Sequence, residues 1–126
     1  MTIPTDRSYS KDHEWVQPAG GVLKIGITDY AQDALGDVVF VKLPEIGAQV
    51  VAGNSFAEVE STKSVSDIYS PASGKVVEVN HALETEPELV NSSPYDAGWI
   101  ATIEFSGDFS SLDLLSPTDY GALIED

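Results

Sequence analysis

The sequence predicts a mainly β domain, a sandwich or barrel made of two similar halves related by a pseudo-two-fold axis. Three observations carry this. Short runs rich in Val, Ile and aromatic residues recur at close, regular spacing, with Gly, Pro or Asn between them. An internal repeat is visible, because Gly36–Val41 matches Gly74–Val79 at an offset of 38 and Phe56–Glu60 matches Ile100–Glu104 at an offset of 44. The growth in offset comes from the Glu84–Leu89 stretch and the Pro94–Gly98 loop. Neither half can bury an apolar face alone, so the two are expected to pack on each other.

Taken in order, Met1–Lys11 is polar, contains a proline and shows no periodicity, so residues 1–11 read as a lead-in segment. His13–Gln17, the Gly20-Gly21 pair and Val22–Ile27 read as a first hairpin. Asp29 opens a short helix near 29–35, capping its free amides while Gln32 reaches back, and Gly36 closes it. Strands follow at Asp37–Leu43, Gln49–Val51, Phe56–Glu60, Val65–Tyr69 and Lys75–Val79, with turns at Pro44–Gly47, Gly53-Asn54 and Pro71–Gly74. Ser110–Leu115 is expected to add a helical turn or two. Ser116, Pro117 and Asp119 mark the start of a C-terminal helix whose apolar face is Tyr120, Leu123 and Ile124. The domain reading is thus one unit over 1–126, with a pseudo-symmetric β core at 36–105 and a helical cover at 110–126.

Composition narrows the function classes. Six basic and twenty-one acidic residues give a net charge of −15, which repels nucleic acid and anionic membranes and favours protein partners with basic docking surfaces. The 42% hydrophobic content is that of a folded domain. Cysteine is absent, so disulfides, thiolate metal sites and a cysteine nucleophile are excluded. No apolar run approaches the length of a membrane span, and Met1–Ser10 has no charged-then-apolar pattern. The expectation is a cytoplasmic protein of bacterial type, a pattern that the mature form of a mitochondrial protein would share.

No catalytic set is legible. His13 and His81 lack metal-ligand spacing, and no Gly-x-Ser-x-Gly elbow or phosphate loop occurs. Trp15 and Trp99 read as core aromatics. What stands out is Val59–Asp67, where two β-branched runs flank Glu60-Ser61-Thr62-Lys63-Ser64 and place one lysine at a hairpin tip among Glu58, Glu60 and Asp67. The tip joins the two repeated halves, an exposed place to carry a group that others must reach. On chemistry alone the chain reads as a binding or carrier module.

Several runs together are specific: His13-Glu14-Trp15-Val16, Ile25–Gln32, Leu35–Val41, Leu43-Pro44, Glu60–Asp67, Ser70-Pro71, Glu78-Val79-Asn80, Pro94-Tyr95 and Gly98-Trp99. Through them the chain resembles the H proteins of the glycine cleavage system. The resemblance implies a barrel-sandwich hybrid of two antiparallel sheets, like lipoyl and biotinyl carriers, and lipoic acid in amide linkage on Lys63. It implies a non-catalytic, monomeric carrier that moves an aminomethyl group from a pyridoxal-phosphate glycine decarboxylase (P protein) to a tetrahydrofolate-dependent aminomethyltransferase (T protein). A dihydrolipoamide dehydrogenase (L protein) reoxidises the arm, and lipoate-attaching enzymes load it. Glu14 and Asp67 match positions implicated in holding the loaded arm, and Glu60 is a candidate for recognition by a modifying enzyme or partner. Some family members carry histidine where this chain has Ala34. Three rival readings share the hairpin. Biotin carriers flank their lysine with methionines, and the sole methionine here is Met1. Lipoyl domains of 2-oxoacid dehydrogenases are shorter and lack the first hairpin and the Ser116 helix. An H-like protein relaying lipoate to other enzymes would look the same.

Overall fold

The two apolar faces anticipated from the repeat meet in one core, where Val41, Val59 and Ile68 pack with Val76, Val79 and Ala101. The computed structural model describes residues 2–125. Its elements run β1 (Ser8–Tyr9), β2 (Glu14–Ala19), β3 (Val22–Ile27), α1 (Asp29–Leu35), β4 (Val38–Lys42), β5 (Gln49–Val50), β6 (Ser55–Ser61), β7 (Val65–Tyr69) and β8 (Gly74–Val79). Then come α2 (Ala82–Thr85), α3 (Leu89–Ser92), β9 (Ala101–Glu104) and α4 (Pro117–Ile124). One antiparallel sheet has the order β1-β2-β3-β9-β8-β5 and the other β4-β6-β7. This is the mainly β, two-sheet architecture that the sequence predicts.

The repeat is real, and its register differs from the sequence match. Both ladders carry a bulge at equivalent places, Val38/Phe40 in β4 and Val76/Glu78 in β8. Opposite them, Ser61, Glu60 and Val59 face Val38, Phe40 and Val41, while Ile103, Thr102 and Ala101 face Val76, Glu78 and Val79. The second strands are therefore related by 42 residues, Ser61 to Ile103, and not by 44. A slip of two leaves every side chain on its own face, so the apolar pattern cannot detect it.

Local chemistry explains the remaining elements. The β2–β3 turn holds Gly20 at φ 58° and Gly21 at φ 86°, a two-residue turn that only residues tolerant of positive φ can make. Thr28, not Asp29, caps α1: its Oγ1 accepts from the Ala31 amide at 3.2 Å because Thr28 is extended while Asp29 is already helical. The lead-in segment ends in β1, which pairs with β2, and Tyr9 is fully buried. The insertion between the β8 and β9 halves folds into the single turns α2 and α3. Asn91 ties it to β4 by accepting from the Val38 amide at 2.8 Å and donating to the Gly36 carbonyl at 2.9 Å. A 3-10 turn occupies Phe109–Ser111, after which Leu115 pairs with Tyr9. Ser116 caps α4 as anticipated, but Leu123 is exposed, so Tyr120 and Ile124 alone face the core.

Two side chains fasten these layers. Trp15 is fully buried, donates its indole N–H to the Pro94 carbonyl at 2.9 Å and lies over Gly26, its partner across the ladder. Glu14, 2% exposed, links the two sheets: one oxygen accepts from Ser10 Oγ at 2.7 Å and the other from the Tyr69 amide of β7 at 3.0 Å. Burial pushes the Glu14 carboxyl up to about 7, against the pull of those hydrogen bonds.

A Cβ on Gly26 would sit 2.6 Å from three indole atoms, so Gly26→Ala should cost about 1–3 kcal/mol by overpacking, read as a lowered urea midpoint with an unchanged slope. Folded Glu14 holds its proton more tightly than the unfolded chain, where the group titrates near 4.5. Its contribution to stability is therefore complete below about pH 4.5 and is lost as pH rises through about 7. Wild type should lose stability relative to Glu14→Gln from about pH 4 to about pH 8 in paired urea titrations, with the steepest change between about 4.5 and about 7. A pH-independent difference between the two would contradict the raised carboxyl.

Candidate functional site

Lys63 occupies the exposed tip of the β6–β7 hairpin, and serine does the work that glycine does in commoner turns. Buried Ser61 accepts from the Lys63 and Ser64 amides, each at 3.1 Å, through its Oγ, while its own amide donates to the Ser64 carbonyl at 2.8 Å. The Thr62 amide donates to the Asp37 carbonyl at 3.0 Å, which braces the tip against the start of β4. An exposed side chain thus stands on a hydrogen-bonded base.

Gly36 receives that side chain. Its φ of 83° and ψ of −160° lie where non-glycine residues are strained, and a Cβ there would come within 3.0 Å of Lys63 Cε. The glycine therefore ends α1 and leaves room for the lysine stem in the same place.

Next to Gly36, a cleft of about 190 Å³ opens between α1 and β7. Ile27, Ala31, Ala34, Leu35 and Ile68 give it apolar walls, and Asp12, His13 and Asp67 are its ionisable residues. Asp67 is exposed, and its Oδ1 accepts from Ser55 Oγ at 3.0 Å. Glu14 does not line the cleft; it lies behind, bonded to Tyr69 two residues beyond Asp67. Glu60 is exposed on the outer face of β6, opposite Phe40 and Val65. The fold brings Lys63 and Asp67 to one side of the molecule and keeps Glu14 interior to it.

His13 is the residue that sequence reasoning undervalued. Among the described residues it is the one non-glycine with positive φ, 68°, a conformation that costs on the order of 1 kcal/mol or more. Its ring packs against Tyr30 at 4.7 Å between centroids, tilted by 32°, and its Nδ1 lies 2.9 Å from the hydroxyl of Tyr120. That hydroxyl lies 2.7 Å from Thr28 Oγ1, so α4 is joined to the cap of α1 through the cleft wall. Burial holds the imidazole below its usual value. The sequence offered one signal, a histidine directly before the first ladder, which periodicity cannot interpret. His81, in contrast, is exposed and pairs with Glu84 at 3.0 Å. Among the described residues no group of three or more His, Asp and Glu is placed to hold a metal ion.

A family model described as glycine cleavage H-protein matches residues 7–126. The chain is 53% identical over 126 residues to the glycine cleavage system H protein of Oceanobacillus iheyensis, covering 100% of both. It is 55% identical over 118 residues to the H protein of Mycolicibacterium vanbaalenii, covering 93% of this chain and 90% of that one. The crystal structure of a glycine cleavage system H protein from Mycobacterium marinum superposes with a TM-score of 0.87 at 46% identity, covering 95% of this chain and 97% of that one. With the two-sheet fold, the braced lysine hairpin and these matches together, the chain belongs to the glycine cleavage H-protein family.

Proposed function

We propose that this chain is the lipoyl carrier of the glycine cleavage system, with lipoic acid joined by an amide bond to Lys63. The placement of Lys63 carries the reading: an exposed amine on a braced turn, lying over Gly36 beside a cleft with apolar walls and acidic residues. Those walls suit an apolar arm, and the acids suit a cationic end. When bound, the group supplies a flexible acyl arm with a redox-active sulfur pair, able to take the aminomethyl cargo from glycine decarboxylase, give it to the aminomethyltransferase and be reoxidised by dihydrolipoamide dehydrogenase.

The chain's own residues supply position. Ser61 and Thr62 fix the point from which the arm swings, and tethering raises the effective concentration of the cargo at each docked partner. Asp67 and Asp12 pair with the cationic end of the loaded arm, and Glu14 acts behind them by holding the backbone of β7. No turnover is assigned to the chain alone. The net charge of −15 directs it to partners with basic docking surfaces, as a monomer, and its bacterial relatives support a cytoplasmic site of action.

Lys63→Arg keeps the charge but removes the amine that can be acylated, so intact-mass measurement should show lipoylation of the wild type and none of the variant. Incorporation into the Arg variant would refute the attachment site. Asp67→Asn removes one charge-assisted contact, worth about 1.5–3 kcal/mol where shielded, and should leave lipoylation intact. Isolated, loaded variant should then release formaldehyde and ammonia to water about tenfold faster or more than wild type. Equal release rates would return Asp67 to the solvated surface.

A further inference from the structure

The outer face of the β4-β6-β7 sheet carries an apolar patch that the fold does not need. Phe40, Glu60 and Val65 stand side by side across the three strands, in the row next to the Lys63 turn. Val39, Phe40 and Val65 are 50%, 55% and 59% exposed. The bulge at Val38/Phe40 turns two consecutive side chains outward, yet the equivalent bulge in β8 does the same with Val77 and Glu78. Glu78 stands where Phe40 would be. A polar residue therefore satisfies this geometry, and the exposed phenyl ring occurs only on the half that bears the lysine.

We infer that this face, built on Val39, Phe40, Glu60 and Val65, docks the enzyme that acylates Lys63, through an apolar socket bordered by lysine or arginine. The inference rests on the reading of Lys63 as the attachment site. Acylation joins the neutral Nζ to the carbonyl carbon of an activated carboxylic acid. The activating group departs with its bonding electrons and the nitrogen gives up a proton. Nothing in that chemistry distinguishes Lys63 from Lys11, Lys24, Lys42 or Lys75, and no arm yet exists to be recognised. Selection must come from the surface around the lysine, whereas the enzymes of the later cycle also have the arm to grip. The charges agree with a basic border: Glu60 lies between the two apolar side chains, and the next row is Lys42, Glu58 and Asp67.

The test uses purified, unlipoylated full-length chain with a lipoate ligase, lipoate and ATP, and follows acylation by intact mass. Phe40→Glu copies the residue of the sister bulge, and Phe40→Ser serves as a second variant. Either should lower kcat/KM for acylation by at least about tenfold, chiefly through KM, with an unchanged thermal melt. Val77→Ser, at the sister bulge, should be acylated at the wild-type rate. Glu60→Gln should reduce the salt dependence of KM. Wild-type rates in both Phe40 variants overturn the inference, as does normal acylation combined with slowed reaction at the later enzymes, which would assign the face to them. Wild type that takes no lipoate on Lys63 would instead defeat the attachment reading itself, and this inference with it.

Discussion

Two β ladders, each apolar on one side only, must bury those sides against each other, and most of the molecule follows from that constraint. Val41, Val59 and Ile68 on one side pack with Val76, Val79 and Ala101 on the other as one apolar core. Once the faces are committed inward, the bulges in β4 and β8 have to open outward. The link leaving the first half must then reverse tightly between β6 and β7, and the lysine is at that reversal. The exposed position of Lys63 is thus a consequence of core packing as well as of its own turn.

The chain spends stability around this hairpin in identifiable places. His13 holds a backbone conformation that is sparsely populated by non-glycine residues, Gly36 fills one that only glycine takes without strain, and Glu14 is a buried carboxyl whose titration is raised to about 7. All three lie on or behind the cleft beside Lys63. Elsewhere the acidic residues are largely solvated, and the described residues include a single Arg–carboxylate pair, Arg7 with Asp6. Surface ion pairing therefore contributes little to holding the fold.

The C-terminal helix connects to the site more closely than an apolar cover would. Tyr120 stacks on Tyr9 at 4.7 Å and is fully buried, yet its hydroxyl meets both His13 and Thr28. A buried tyrosine brings a large apolar body and one polar handle, and here the body anchors α4 while the handle orients a wall of the cleft. The helix therefore stiffens the site from the far end of the chain.

The sequence by itself determined the β character, the hairpin around Lys63, the glycines of the first turn, the stop at Gly36 and the cap at Ser116. Each depends on neighbours a few residues apart, and local sterics and hydrogen bonding are written in the order of the residues. It also determined the family, because the motifs around Lys63 and Glu14 occur together. Tertiary structure decided what local order cannot carry. The two-residue shift in the second ladder preserves the faces, so pattern was blind to it. That Glu14 is buried against Tyr69, that His13 meets Tyr120, and that Lys63 lies over Gly36 depend on pairings between distant segments. Phe40 shows the same division most plainly: its apolar character is in the sequence, but only the bulge, seen beside its polar counterpart at Glu78, turns it outward next to the lysine.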